Sequence, residues 1–164
     1  MTKQHNIFWF VLLLGGVCVS GCEQDTRISI DGNNPPKFKL RGSGKVYFIR
    51  VYKDPVPESE MSKNEGGIWQ INPDEKMRST SVSGYPEITY GEVPSGFIQK
   101  IPNTGAIPPR LEEGQKYILF APTYNANFEI LVFMIKDGKS VKIPGHPPAT
   151  KLLCNYSGGL SGRR

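Results

Sequence analysis

QKYILFAPTYNANFEILVFMIKDGKSVKI, residues 115–143, decides the fold. Two arms rich in strand formers, Gln115–Thr123 and Phe128–Lys136, are joined through Tyr124-Asn125-Ala126-Asn127. This is the pattern of a hairpin. In the second arm Phe128, Ile130, Val132 and Met134 alternate with Leu131, Phe133 and Ile135. A strand apolar on both faces belongs inside a sheet, so this arm is expected to lie centrally. Asp137-Gly138, between Lys136 and Lys139, spells a tight turn that returns the chain into Ser140-Val141-Lys142-Ile143.

Upstream the same grammar repeats. Arg27-Ile28-Ser29-Ile30-Asp31 alternates with a two-residue period, and Gly32-Asn33-Asn34-Pro35-Pro36 forces a turn. Phe38 and Leu40 sit two apart, and after Gly42-Ser43-Gly44 the stretch Lys45–Lys53 is dominated by β-branched and aromatic residues. One face of that strand is expected in the core and the other partly covered, with Arg50 at the wet side. Asp54-Pro55-Val56-Pro57 ends it, because proline offers no ladder donor. Glu58–Gly67 reads as a polar loop, and Ile68-Trp69-Gln70-Ile71 as a short strand whose tryptophan enters the core. Residues 73–84 are the one stretch with a helical reading, resting on Pro73 at a helix start followed by Asp74-Glu75. Glu87–Gly91 and Phe97–Ile101 complete the strands. The remainder up to Gly114 is a proline-gated loop, with Pro108-Pro109 as an extended connector.

Eight or so short strands at turn-bounded spacing, in a chain of 164 residues with 18 Gly and 14 Pro spread between them, predict an all-β domain. The expected architecture is an antiparallel β-sandwich, immunoglobulin-like in arrangement, or a partly open barrel, with little or no helix outside a signal peptide.

That signal peptide is written at the start. Met1–Asn6 is polar with one fixed positive charge at Lys3, Ile7–Leu14 is unbroken apolar, and small residues follow. The apolar run is too short to span a bilayer and has the order of a secretory leader. Val19-Ser20-Gly21-Cys22 resembles the lipobox of bacterial lipoproteins. The resemblance implies cleavage between Gly21 and Cys22 and transfer of a diacylglycerol to the Cys22 thiol, the one nucleophilic side chain there. Two or three acyl chains would give stable membrane anchoring. Glu23, rather than aspartate, follows the cysteine. By the same resemblance the outer membrane is favoured in a Gram-negative cell, and the cell membrane otherwise. The expected organisation is a signal peptide over 1–21, a lipidated N-terminus and tether over 22–34, a β-sandwich over 35–155 and a flexible tail over 156–164.

Processing strips chemistry from the mature chain. Of three cysteines, Cys18 leaves with the leader and Cys22 is consumed by lipid, so Cys154 has no intramolecular partner and is expected to be a buried thiol. Of two histidines only His146 remains, in the turn Pro144-Gly145-His146-Pro147-Pro148, where a solvent-exposed imidazole is expected. A His-rich zinc site cannot be built, a Ser-His-Asp triad would need His146, and Cys154 with His146 would be the one thiol–imidazole pair. Loss of Lys3 leaves 19 basic and 15 acidic residues, a net charge of +4. The charges are interleaved, so no nucleic-acid partner is expected. No catalytic, cofactor-binding or metal-ligating residues are assigned.

The function expected is therefore non-enzymatic: a membrane-tethered envelope module contacting a protein or glycan through strand edges or proline-rich loops. Tyr85, Tyr90, Tyr124 or Phe97 could supply exposed aromatics. The alternative is an envelope hydrolase using paired carboxylates, with Glu87 and Glu92 or Glu112 and Glu113 as candidates.

Overall fold

A computed structural model of the chain describes residues 24–63 and 65–144. Cys22 and Gly21 of the expected anchor, His146, Cys154 and the tail over 156–164 lie outside the described residues. Among the described residues nine strands form in chain order: β1 (Arg27–Ile30), β2 (Lys37–Arg41), β3 (Ile49–Lys53), β4 (Gly67–Pro73), β5 (Ile88–Thr89), β6 (Phe97–Ile101), β7 (Lys116–Phe120), β8 (Leu131–Lys136) and β9 (Lys139–Lys142). They make two antiparallel sheets, of order β1-β2-β5 and β6-β4-β3-β7-β8-β9. The expected all-β fold is thus observed as a two-sheet sandwich. The helices among the described residues are shorter than two turns, α1 (Glu58–Lys63), α2 (Glu75–Arg78) and a 3₁₀ turn over Val82–Gly84.

The alternation of β7 and β8 builds the core. Tyr117 and Leu119 of β7 and Leu131, Phe133 and Ile135 of β8 point inward with Ile49 and Val51 of β3 and Trp69 and Ile71 of β4. They meet Ile28, Phe38, Leu40 and Ile88 of the smaller sheet. Phe38 and Phe133 pack edge to face with centroids 5.5 Å apart. Among the described residues, Trp69 Nε1 and Thr26 Oγ1 are buried side-chain atoms without a hydrogen-bond partner.

The outer face of the larger sheet carries a second cluster of Phe48, Tyr52, Ile118, Phe120, Phe128 and Val132, covered in part by Met61 of α1. β8 therefore has apolar neighbours on both faces, as its sequence requires, and lies between β7 and β9. Its ladder begins at Leu131, because Phe128 instead pairs in an isolated bridge with Thr26. Asp137 and Gly138 supply the two positive φ angles, 53° and 69°, of the predicted tight turn.

Three expectations are corrected. Arg50 is not at a wet side: it is 4% exposed beneath the outer cluster. Its Nε donates to Gln70 Oε1 at 2.5 Å and Nη1 to Tyr52 Oη at 3.1 Å, and its guanidinium lies 4.8 Å from the Phe48 ring centroid. Aromatic faces can accept a delocalised cation without a carboxylate. Glu58–Gly67 is not wholly loop, since Glu58–Lys63 forms α1. Finally, Pro73 does not start a helix; it closes β4 opposite Phe97, and Asp74 caps α2 by accepting from Met77 N at 2.8 Å.

The two sheets are stitched where β1 meets β9 and the segment just ahead of β8. Ile28 N donates to Glu129 Oε2 at 3.0 Å, and Ser140 Oγ donates to the Asp31 carbonyl. β1 begins at Arg27, so ordered sheet starts ahead of Pro35.

Candidate functional site

The carboxylates singled out by sequence, Glu87, Glu92, Glu112 and Glu113, are all exposed. Glu87 ion-pairs with Lys37 at 3.9 Å and Glu112 with Lys53 at 2.7 Å, both at the surface. Glu113 accepts from Asp137 N and Gly138 N, the latter at 3.2 Å, and so fastens the β8–β9 turn. Glu129 was not singled out. Burial pushes its carboxyl up, but the Lys142 ammonium at 2.7 Å, the Ile28 N–H and the charge of Arg27 outweigh this and hold it below the ordinary value. A lowered carboxyl accepts hydrogen bonds and does not serve as a proton donor near neutrality. Among the described residues no cluster of His, Cys, Asp or Glu could hold a metal ion.

The aromatics divide. Tyr85, Tyr90 and Phe97 are core residues, each under a tenth exposed. Tyr85 stacks edge to face on Phe97 at 5.2 Å, and Tyr90 packs on Trp69 at 5.3 Å. Burial pushes the Tyr85 hydroxyl up to about 12 and raises that of Tyr90 as well. Tyr124 is 44% exposed and meets Tyr47, 38% exposed, with ring centroids 4.9 Å apart. Tyr47 reads in sequence only as a strand residue. It lies ahead of β3, where Tyr47 N donates to the Pro122 carbonyl at 3.0 Å and thereby couples the two loops.

Two loop clusters follow at opposite ends of the larger sheet. At one end Arg41–Tyr47, residues 122–127 and Gln24–Thr26 meet. Asn125 Oδ1 accepts from Lys45 N at 2.7 Å, and Tyr124 Oη donates to the Arg78 carbonyl at 2.9 Å. A shallow recess of about 400 Å³ is lined here by Asp25 and residues 123–127. Gly42 lets the segments close up: its φ is +126°, and a Cβ there would stand 2.5 Å from the Asp25 carbonyl oxygen.

At the other end lies the proline-rich loop after β6. Gln99, 5% exposed on this edge strand, turns its amide onto the loop backbone. Nε2 donates to the carbonyls of Pro102 at 3.1 Å, Asn103 at 3.3 Å and Ala106 at 2.7 Å. Thr104 Oγ1 returns a bond to the Gln99 carbonyl at 3.1 Å, and Tyr90 Oη donates to the Pro109 carbonyl at 2.8 Å. Pro108 and Leu111 are buried, whereas Ile107 between these fixings is 91% exposed. Ile107 is thus an exposed aliphatic side chain on a backbone fixed on both sides. The sequence marks this stretch as a connector, and neither Gln99 nor Ile107 carries a local signal of its role. Neither protein-family models, nor curated proteins, nor solved structures yield a match to this chain.

Proposed function

We propose that the chain is a bacterial envelope lipoprotein, anchored through lipid on Cys22, whose sandwich presents the 102–111 loop to a partner protein without catalysing a reaction. The observation that carries the binding half is Ile107, fully presented on a backbone fixed by Gln99 and Tyr90. Apolar anchors on pre-ordered loops give affinity because little conformational entropy is lost on binding. The anchoring half rests on the lipobox resemblance of Val19-Ser20-Gly21-Cys22.

A photo-crosslinking amino acid placed at Ile107 in the native envelope tests the reading, with Lys39 on the exposed side of β2 as control. A discrete adduct from position 107 and none from position 39 is the expected result. No adduct at 107, or equal adducts at both, overturns it. Mass spectrometry of the extracted protein checks for a diacylglycerol on Cys22, and an unmodified thiol removes the anchor.

A further inference from the structure

We infer that the Tyr47–Tyr124 end of the domain sits in the lipid headgroup layer of the membrane that holds Cys22, so that the sandwich stands on its bilayer in a fixed orientation. The inference rests on the lipidation reading and goes beyond it, because an anchor alone sets no orientation.

The first step is the length of the leash. The Gln24 carbonyl accepts from Ser43 N at 3.2 Å and Ser43 Oγ at 3.1 Å. Thr26, 1% exposed, donates to the Asn127 carbonyl at 2.7 Å and accepts from Glu129 N at 3.0 Å. From Gln24 onward, then, the chain is pinned between the two loops. Only Glu23 separates Gln24 from Cys22. Two residue steps reach at most about 7 Å when fully extended. The headgroup layer of one leaflet is itself roughly 5–7 Å deep. Even with the short thioether link to the glyceryl group added, Gln24 and the loops bonded to it are held against that layer.

The second step is the chemistry of what is brought there. Tyr47 and Tyr124 form the exposed aromatic pair, and Tyr124 shares its recess with Asp25, one residue beyond Gln24. Tyrosine has an apolar ring and a polar tip, the combination that partitions to membrane interfaces. The backbones of Lys45 and Arg78 bond to Tyr124, Arg41 precedes the Gly42 that closes on Asp25, and the three side chains make no ion pair among the described residues. Arg41 also stands directly opposite Arg27 across the β1–β2 ladder, although Arg27 faces Glu129 as well. Like charges opposed on adjacent strands are unfavourable unless an outside anion shares them. Anionic headgroups supply that charge at about 1 kcal/mol per basic residue near the surface.

The test uses the full chain, extracted after expression in bacteria, carrying Cys154→Ser and a single spin label at Ala126→Cys or, separately, at Lys139→Cys on the opposite end. Each protein is placed in phosphatidylcholine–phosphatidylglycerol vesicles, and label depth is read from collisions with oxygen and with a water-soluble nickel chelate. The expected result is loss of nickel accessibility at 126 while 139 stays aqueous, with Tyr47→Ser/Tyr124→Ser returning 126 to water. Two aqueous labels on a protein whose Cys22 carries lipid overturn the orientation and leave the anchor standing. An unmodified Cys22 overturns the anchor and this inference with it.

Discussion

Gln99→Leu tests whether the 102–111 loop is ordered before any partner binds. Leucine keeps most of the side-chain volume, so no large cavity opens and the change isolates the amide. Nε2 carries two hydrogens that serve three carbonyls. Each bond contributes about 0.5–1.5 kcal/mol net. Asn103 and Ala106 are exposed, so water can reach their carbonyls after the change. That places the total near the low end, about 1–2 kcal/mol for the two hydrogens. Because the bonds close a local segment, the loss should appear as easier opening of that segment. The Ala106 amide, which donates to the Asn103 carbonyl at 2.9 Å, reports it directly. At 1.4 kcal/mol per decade, its hydrogen exchange should accelerate about 5- to 30-fold. The adduct at position 107 should weaken in parallel, since ordering one or two freed residues costs about 1–2 kcal/mol each. Unchanged exchange at Ala106, with or without a fall in the urea midpoint, would refute the reasoning and reduce Gln99 to a packing residue.

Arg50→Met removes the cation from over Phe48 and strips the donor from buried Gln70 Oε1; an orphaned buried acceptor costs about 1–3 kcal/mol. Arg50→Met/Gln70→Leu should recover much of that loss in urea unfolding, and simple additivity of the two single changes would contradict the role assigned to the pair. Glu129→Gln tests the seam between the sheets. The folded carboxyl lies below its ordinary value of 4.5, so its contribution is fully present above that pH and is lost as pH falls through the lower folded value. The stability difference between wild type and Glu129→Gln should therefore be constant near neutrality and shrink below pH 4.5; a difference that grows on acidification would reverse the sign of the argument. Gly44→Ala puts a methyl 2.6 Å from Thr123 Cγ2 and closer still to Thr26 Oγ1. It should destabilise by about 1–3 kcal/mol and free the Thr26 amide to exchange.

Where patterns are local, the fold was legible in the sequence. Phe97–Ile101 is bounded as the apolar alternation predicts, and Asp137-Gly138 turns as its chemistry demands. What escaped depends on contacts between distant segments. Arg50 is a cation in a strand and reads as wet; a two-residue period puts Phe48 and Tyr52 on its face, but its burial also needs Gln70 of β4, which that period does not reveal. α1 has Met61 as its buried apolar residue, too little periodicity to announce a helix. Tyr124 was legible as an exposed aromatic candidate, but its partner Tyr47 required the bridge between Val46 and Thr123. Gln99 is a lone polar residue in an edge strand, and its purpose exists only once the loop folds back over it.

The order of the larger sheet has a consequence for how the chain is made. β3 sits between β4 and β7, and Val51 finds Leu119 only after two thirds of the sequence has emerged. Topologies dominated by such distant pairings form slowly, because loop closure must precede the reward. Within the first half of the chain the β1–β2 and β3–β4 pairs can form, but the core between the two sheets cannot be completed, since it needs β7 and β8. On the proposed export reading, such a chain would thread before it folds and acquire its shape on the far side of the membrane.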